Sequence, residues 1–307
     1  MSKIGIIDIG SNTFNLLISC TQKKKHIYSK ETYVGIRKGT KKNIIQENTI
    51  SKSILVIKEF KKICQDLNCK KIYIIATASL RNALNKNQFL EHCKKETGLI
   101  INIISGNEEA KLIFDGIINN IHDLDNFVII DIGGASTEFI ITKNRLPFFK
   151  KSFPFGSQLL IQKFNPHNPI KKIEIEKIQL FFKKELQYLI TLLKDKKIKN
   201  LIGTSGSFNC ITNIQSQNKK KQVYKKLNIE HYQKTISPKI LNSTINKREK
   251  IPGLLKMRAE NIIITIILIN FLLDEGIENI YTTEFSLKDG VFSNILNKIT
   301  TWQESLL

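Results

Sequence analysis

Short apolar runs that end on an aspartate and a glycine recur along this chain of 307 residues. Phe127–Ile130 is too short for a helix and rich in β-branched side chains, which predicts a buried strand ending at Asp131. Two glycines then break the run. Ile4–Thr13 repeats the pattern and shares Ile-Ile-Asp-Ile-Gly with residues 129–133. This repetition predicts two α/β halves of similar build.

The same patterns predict most of the other elements. Alternating or short apolar runs predict strands at Asn15–Cys20, His26–Val34, Ile72–Ala76, Ile100–Ile104, Phe139–Thr142, Asn200–Ile202 and Ile277–Thr283. Apolar residues at helical spacing predict helices at Ser51–Asn68, Gln88–Thr97, Ile173–Leu193 and Ile262–Leu273, and a C-terminal helix that starts near Ser286.

Three polar or proline-containing stretches are predicted to lie outside these elements. Lys151–Pro169 contains three prolines and is expected to be largely irregular. Lys219–Lys250 is basic and is expected to form a solvated surface. Asn119–Asn126 separates the two halves, so we expect one domain at 1–122 and another at 123–307.

The charge is strongly positive but is a weak guide to function. The formal net charge is +21, and only five of the 48 basic residues are Arg. Lys and Ile are frequent throughout, which indicates a compositional bias more than a selected basic surface. Such a charge still attracts any polyphosphate or nucleic acid. We expect no specific nucleic-acid partner, and each Arg is notable because only Arg offers a planar fork to phosphate.

The sequence gives no sign of a membrane or disulfide-dependent protein. Met1–Lys3 leads directly into the first strand without the apolar core of a signal peptide. The longest apolar run, Ile262–Leu273, is too short to span a bilayer. Five cysteines without metal-ligand spacing predict reduced thiols, so we expect a cytoplasmic protein that does not bind metal through thiolates.

The repeated strand-to-glycine turns predict phosphate and metal chemistry. Asp8 and Asp131 each end a predicted strand, where a carboxylate can hold a hard cation such as Mg²⁺. The glycines that follow let backbone N–H groups face an anion. A third turn, Gly203–Ser207, also follows a strand, and a helix that starts there can receive an anion at its N-terminus.

Two further residues are candidates because of where they follow strands. Arg81 follows Ile72–Ala76 and is interpreted as a phosphate contact. Ser105 and Glu108 have the spacing of a capping box, which assigns Glu108 to the helix start. Glu109 has no such structural task, so it is the better candidate for chemistry.

The motifs, taken together, resemble the exopolyphosphatase and guanosine pentaphosphate phosphatase (Ppx/GppA) family, in the superfamily of acetate kinase, sugar kinases, heat-shock chaperone ATPases and actin. The resemblance covers nearly the whole chain, and its length is similar to the short, two-domain members. Its motifs are Asp-Ile-Gly-Ser-Asn-Thr-Phe (8–14), Ala-Thr-Ala-Ser-Leu-Arg (76–81), Ser-Gly-Asn-Glu-Glu-Ala-Lys-Leu-Ile (105–113), Asp-Ile-Gly-Gly-Ala-Ser-Thr-Glu (131–138), Gly-Thr-Ser-Gly-Ser (203–207), Arg-Ala-Glu (258–260) and Ser-Leu-Lys-Asp-Gly-Val (286–291).

The resemblance implies an α/β fold of two RNase H-like domains with an interdomain cleft, and a Mg²⁺-dependent phosphoanhydride hydrolase that acts in that cleft. It assigns catalysis to Glu109 and Glu138, and metal binding to Asp131 and Asp8. Phosphate binding falls to Gly10, Ser11, Asn12, Arg81, Gly133, Gly134 and Ser136.

Three departures from the family pattern leave the substrate open. Ala135 stands where a third Gly is usual, Leu159 stands where an Arg is usual, and the small residues expected near Ile263–Ile266 are bulky. The preferred function is removal of terminal phosphate from inorganic polyphosphate, and guanosine pentaphosphate is the alternative substrate. A kinase or ATPase-driven protein, a non-catalytic sensor and a homodimer are further hypotheses.

Overall fold

The computed structural model describes residues 2–216, 224–299 and 301–307. The strands are β1 (Lys3–Ile9), β2 (Thr13–Cys20), β3 (Lys25–Tyr33), β4 (Thr40–Lys41), β5 (Ile44–Ile45), β6 (Cys69–Ala76), β7 (Ile101–Ile103), β8 (Phe127–Ile132), β9 (Thr137–Lys143), β10 (Leu146–Phe153), β11 (Asn200–Thr204), β12 (Tyr224–Lys226), β13 (Asn279–Thr283) and β14 (Ser305–Leu306).

The helices alternate with these strands. They are α1 (Glu47–Asp66), α2 (Ala78–Arg81), α3 (Lys86–Thr97), α4 (Gly106–Ile118), α5 (Ser157–Phe164), α6 (Lys172–Glu185), α7 (Gln187–Asp195), α8 (Ser205–Ser216), α9 (Ile229–His231), α10 (Ser237–Leu241), α11 (Ile245–Arg248), α12 (Ile262–Asp274) and α13 (Leu287–Leu296). Tyr232–Ile236 is a π-helical turn and Lys256–Arg258 is a 3₁₀ turn.

The first sheet has the order β3-β2-β1-β6, and both β7 and β14 pair with β6. Strands β1, β6 and β7 are parallel, whereas β2 and β3 are antiparallel. The four isoleucines of β1 are all buried and are divided between the two faces of the sheet, as expected of a strand covered on both faces. Its Ile7 and Ile9 enter a core with Phe14 of β2 and Phe60 of α1.

The second sheet repeats this arrangement in the order β10-β9-β8-β11-β13-β12. Strands β8, β11 and β13 are parallel, β9 is antiparallel to β8, and β10 is antiparallel to β9. The predicted α/β fold with two RNase H-like domains is therefore confirmed. Helix α12 is buried along nearly all its length, as its continuous apolar sequence predicts.

Contacts along the chain group its residues into two compact units that differ from the predicted domains. The first unit contains the chain up to Gly116, the turn Gly133–Ala135 and Leu287–Leu307, and the second contains Ile117–Ile132 and Ser136–Ser286. The C-terminal segment joins the first unit because β14 pairs with β6. A single boundary at 122/123 does not describe this grouping.

Two predicted elements were wrong in detail. The predicted helix Ile173–Leu193 is two helices, α6 and α7, because the buried residue Leu186 has φ −103° and ψ 8°. Lys151–Pro169 is not largely irregular: β10 reaches Phe153, and α5 follows Gly156. The prolines lie outside α5, which ends at Phe164 and is followed by Asn165 in the left-handed region with φ 41°.

The prediction of a solvated basic surface at Lys219–Lys250 was also wrong for residues 224–250. Residues 219–223 lie outside the described residues. The remainder forms β12, three short helices and the π-helical turn. Tyr232, Ile236 and Ile240 enter the core of the second unit, so apolar side chains at helical spacing outweigh the polar average of the segment.

Helix α13 packs so closely on α4 that Gly290 has no room for a side chain. A Cβ at Gly290 would lie 1.8 Å from the carbonyl oxygen of Leu112. Replacing a helical Gly by Ala normally raises stability by about 0.5–1 kcal/mol. We expect Gly290→Ala instead to lower the free energy of unfolding by roughly 1–3 kcal/mol, as overpacking does, measured by urea denaturation.

Gly98→Ala is the control for this prediction. Gly98 caps α3 with φ 69° and has no atom within 4 Å of an added Cβ. Its substitution should cost only about 1–2 kcal/mol of backbone strain. A Gly290→Ala protein as stable as the wild type would contradict the packing described.

Candidate active site

The turn after β1 is closed by backbone contacts that require glycine. The Gly10 N–H donates to the carbonyl of Thr13 at 3.1 Å, and a Cβ at Gly10 would lie 2.8 Å from that same oxygen. The carbonyl of Asn12 accepts from Val34 and Gly35, both at 2.9 Å. The loop after β3 therefore holds the turn Gly10–Asn12 in place through these two hydrogen bonds.

The second glycine turn packs directly on the first. A Cβ at Gly134 would lie 2.9 Å from the Cβ of Ser11 and 3.0 Å from Nδ2 of Asn12. The turn Gly133–Ala135 belongs to the first unit, together with Ser11 and Asn12. Ser136, which follows it, is buried and belongs to the second unit. The two predicted phosphate-binding turns are thus in contact.

The predicted base and the predicted phosphate contact are paired with each other. Nη1 of Arg81 donates to Oε2 of Glu109 at 3.0 Å and to the carbonyl of Ile104 at 2.8 Å. The Glu109 side chain is 9% exposed, so Arg81 compensates its burial. In the part of the chain that the structure describes, Nε and Nη2 of Arg81 have no protein acceptor, which leaves them able to bind a phosphate oxygen.

The predicted capping box is only half formed. Oγ of Ser105 accepts from the Glu108 N–H at 3.2 Å, as predicted. The carboxylate of Glu108 does not return to the backbone of Ser105. It accepts from the indole N–H of Trp302 at 2.8 Å. Glu108 therefore binds the C-terminal segment, and Glu109 is the acidic residue of this turn that pairs with Arg81.

The two predicted metal-binding aspartates occupy equivalent positions with different neighbours. Asp8 on β1 lies opposite Asn15 on β2, and Asp131 on β8 lies opposite Glu138 on β9. Nδ2 of Asn15 donates to Oδ2 of Asp8 at 3.1 Å. In the repeat, the amide is replaced by a second carboxylate. Glu138 is 1% exposed, and its Oε1 accepts from Oγ of Ser152 at 2.6 Å.

The pair Asp131 and Glu138 has the donor chemistry that Mg²⁺ requires. Carboxylates directly opposite each other in an antiparallel pair repel, and a cation relieves that repulsion. Within residues 2–216, 224–299 and 301–307, no group of three or more His, Cys, Asp or Glu side chains is placed to hold one metal ion. Mg²⁺ commonly uses one or two carboxylates, with waters and substrate phosphates completing its shell, so the pair fits.

Two arginines outside the predicted site also lie beside glycine turns. The N–H of Arg37 donates to the carbonyl of Ser11 at 3.0 Å, and burial lowers the pKa of its guanidinium. In the second unit, Arg258 covers Gly206 so closely that a Cβ there would lie 2.0 Å from its Nη2. The scarcity of Arg in this Lys-rich chain was the signal that could have identified both.

The departures from the family pattern occupy ordinary structural positions. Leu159 lies in the first turn of α5, and the neighbouring Gln158 accepts from Nδ2 of Asn261 at 2.9 Å. The bulky Ile263–Ile266 segment is buried in α12. Ala135 lies in the second glycine turn and is buried. None of the three changes interrupts a strand or helix.

The chain was compared with known proteins. The model of the Ppx/GppA phosphatase family matches residues 17–299. The crystal structure of an exopolyphosphatase from Cytophaga hutchinsonii ATCC 33406 is similar with a TM-score of 0.92 and 28% identity, over 98% of this chain and 100% of that one. The Aquifex aeolicus member of the Ppx/GppA family has the same fold, with a TM-score of 0.81 and 22% identity over 98% and 99% of the two chains.

A curated relative extends well beyond this chain. The bifunctional 3-dehydroquinate synthase/phosphatase of Fusobacterium nucleatum is 32% identical over 288 residues, which cover 87% of this chain and 42% of the relative. The chain therefore spans less than half of that relative's length. No helix among the described residues has both the length and the apolarity needed to cross a bilayer.

The carboxylate pair makes a prediction about Mg²⁺ that does not depend on turnover. Glu138→Gln removes one of two opposed charges and one cation ligand. We expect the variant to be at least as stable as the wild type without metal. Mg²⁺ should raise the melting temperature of the wild type, because a ligand at 100 times its Kd adds about 2.7 kcal/mol to the free energy of unfolding. It should leave the melting temperature of the variant unchanged.

Glu91→Gln is the matched control, since Glu91 is an exposed residue of α3 and the charge change is the same. It should retain the full response to Mg²⁺. An equal response in Glu138→Gln and the wild type, read by calorimetry or by a thermal shift, would contradict the assignment.

Proposed function

We propose that this chain, which belongs to the Ppx/GppA phosphatase family, hydrolyses the terminal phosphoanhydride bond of inorganic polyphosphate with Mg²⁺. The observation that carries the proposal is the ion pair of Arg81 with the buried Glu109, in the same compact unit as two glycine turns that touch. A carboxylate base, a cation for phosphate and backbone N–H donors are the groups that phosphoanhydride hydrolysis requires.

The roles follow from the chemistry of each group. Glu109 accepts a proton from water as the water oxygen attacks the terminal phosphorus, and the bond to the bridging oxygen breaks to release phosphate. Arg81 orients the Glu109 carboxylate through the hydrogen bond to its Oε2, and the remaining N–H groups of Arg81 bind phosphate oxygens. The Gly10 N–H already donates to Thr13, so the backbone N–H groups of Ser11 and Asn12 and those of the turn Gly133–Ala135 are proposed to bind further oxygens of the chain.

Mg²⁺ bound to Asp131 and Glu138 would neutralise charge on the phosphate oxygens. Ser152 orients the Glu138 carboxylate through the hydrogen bond described above. The net charge of +21 favours a long polyanion over a short one, because each additional phosphate adds charge for the lysines to attract.

Loss of the base should nearly abolish turnover. Glu109→Gln retains the size of the side chain and an acceptor for Arg81, but it cannot take a proton. We expect the kcat for phosphate release from polyphosphate to fall by roughly 10²–10⁴-fold. Circular dichroism and urea unfolding should show a folded protein, and the exposed control Glu91→Gln should retain wild-type turnover.

The substrate is identified by measuring phosphate release with Mg²⁺ from polyphosphate, guanosine pentaphosphate and ATP. We expect the highest kcat/KM with polyphosphate, and we expect it to fall steeply as salt rises because the attraction is screened. Faster release from guanosine pentaphosphate would assign the alternative substrate. Phosphate transfer from ATP to an acceptor would indicate a kinase, and tight binding of polyphosphate without release would indicate a sensor.

A further inference from the structure

The first turn of α4 presents two consecutive glutamates that face different parts of the protein. Successive helical side chains point about 100° apart. Glu109 pairs with Arg81, and Glu108 accepts from Nε1 of Trp302 at 2.8 Å. The direction of Glu109 is therefore coupled to the contact made by Glu108, because both side chains leave the same turn.

Trp302 is itself firmly held, because the segment 301–307 is bound along the first sheet. Asn102 of β7 donates from Nδ2 to the carbonyl of Gln303 at 2.9 Å and accepts from the Gln303 N–H at the same distance. Oγ of Ser305 accepts from the Ile100 N–H at 3.0 Å. These contacts bind the segment to the backbone just before β7 and to a side chain within β7, the strand that leads into α4.

A polar cluster at Glu304 anchors the same segment to β6. Oη of Tyr73 donates to Oε2 of Glu304 at 2.6 Å, and Nζ of Lys71 lies 2.7 Å from Oε1. Hydrogen bonds from Lys71 and Tyr73 lower the pKa of the Glu304 carboxyl. These hydrogen bonds hold the segment around Trp302 in place. Trp302 can therefore hold the turn that carries Glu109.

We propose that Trp302 is a positioning residue for the reaction, which acts by holding Glu108 and thereby the direction in which Glu109 is presented. This inference rests on the proposed catalytic role of Glu109. The indole N–H is the group that matters, since it supplies a charge-assisted hydrogen bond to a partly buried carboxylate. A segment nearly 200 residues away in sequence thus completes the first turn of the catalytic helix.

The test measures three variants: Trp302→Phe, Glu108→Ala and the double variant that carries both changes. The single variant Thr301→Ala is the control. Thr301 is the exposed neighbour of Trp302 and serves as the matched control. We expect Trp302→Phe to lower the kcat for phosphate release by about 10- to 100-fold, the scale of a misplaced catalytic group. KM should change by less than about twofold, since polyphosphate binding uses other groups. Thr301→Ala should match the wild type.

Non-additivity separates positioning from a general loss of stability. Trp302→Phe and Glu108→Ala remove the same contact, so the double variant should be no slower than the slower single variant. Glu108→Gln retains an acceptor for the indole and should lose less activity than Glu108→Ala. Trp302 is the only Trp of the chain, so its emission should shift in Glu108→Ala while urea unfolding shows a folded protein.

Hydrogen exchange provides a readout that is independent of turnover. Peptides covering residues 106–112 should exchange faster in Trp302→Phe, and those of β8 should not change. An active enzyme in which Trp302→Phe leaves kcat unchanged overturns the proposal. If the wild type releases no phosphate from any of the three substrates, the proposed function fails. Unchanged exchange in residues 106–112 would then also overturn the positioning role.

Discussion

The contact between the two glycine turns is the constraint on which the arrangement of the site depends. Gly134 lies so close to Ser11 and Asn12 that any side chain at position 134 would collide with them. This contact brings residues more than 120 positions apart into one compact unit, and it assigns the turn after β8 to the first unit rather than the second. The two turns that follow the equivalent strands β1 and β8 therefore lie against each other.

The internal repeat is preserved in backbone geometry and altered in chemistry. In both halves an aspartate at the end of the first strand lies opposite a polar residue of the second strand. Asn15 donates an amide hydrogen bond to Asp8. Glu138 instead places a second carboxyl group opposite Asp131. A duplicated framework thus offers one aspartate paired with an amide and one pair of carboxyl groups, and the second has the better donor chemistry for a divalent cation.

The first turn of α4 is held by contacts of several kinds. Ser105 caps its backbone, Arg81 pairs with the Glu109 carboxylate, and Trp302 holds the adjacent Glu108. Ser105 fixes the start of the helix, Arg81 fixes the direction of the Glu109 carboxylate, and Trp302 fixes the neighbouring side chain. If Glu109 is the base, as proposed above, several contacts at this turn serve to hold it within the fraction of an ångström that proton transfer requires.

The sequence by itself predicted most of the strands and the glycine turns that follow β1 and β8, because apolar runs and glycine act over a few residues. It also favoured Glu109 over Glu108 for chemistry, and that assignment stays a prediction. It also predicted that Asp8 and Asp131 are equivalent, since both lie in the repeated sequence Ile-Ile-Asp-Ile-Gly. Only the tertiary structure decided that the C-terminal segment pairs with β6, that α6 and α7 are separate, and that Glu108 contacts Trp302. These features depend on pairing and packing between segments distant in the chain, and no local pattern encodes which distant partner a residue will meet.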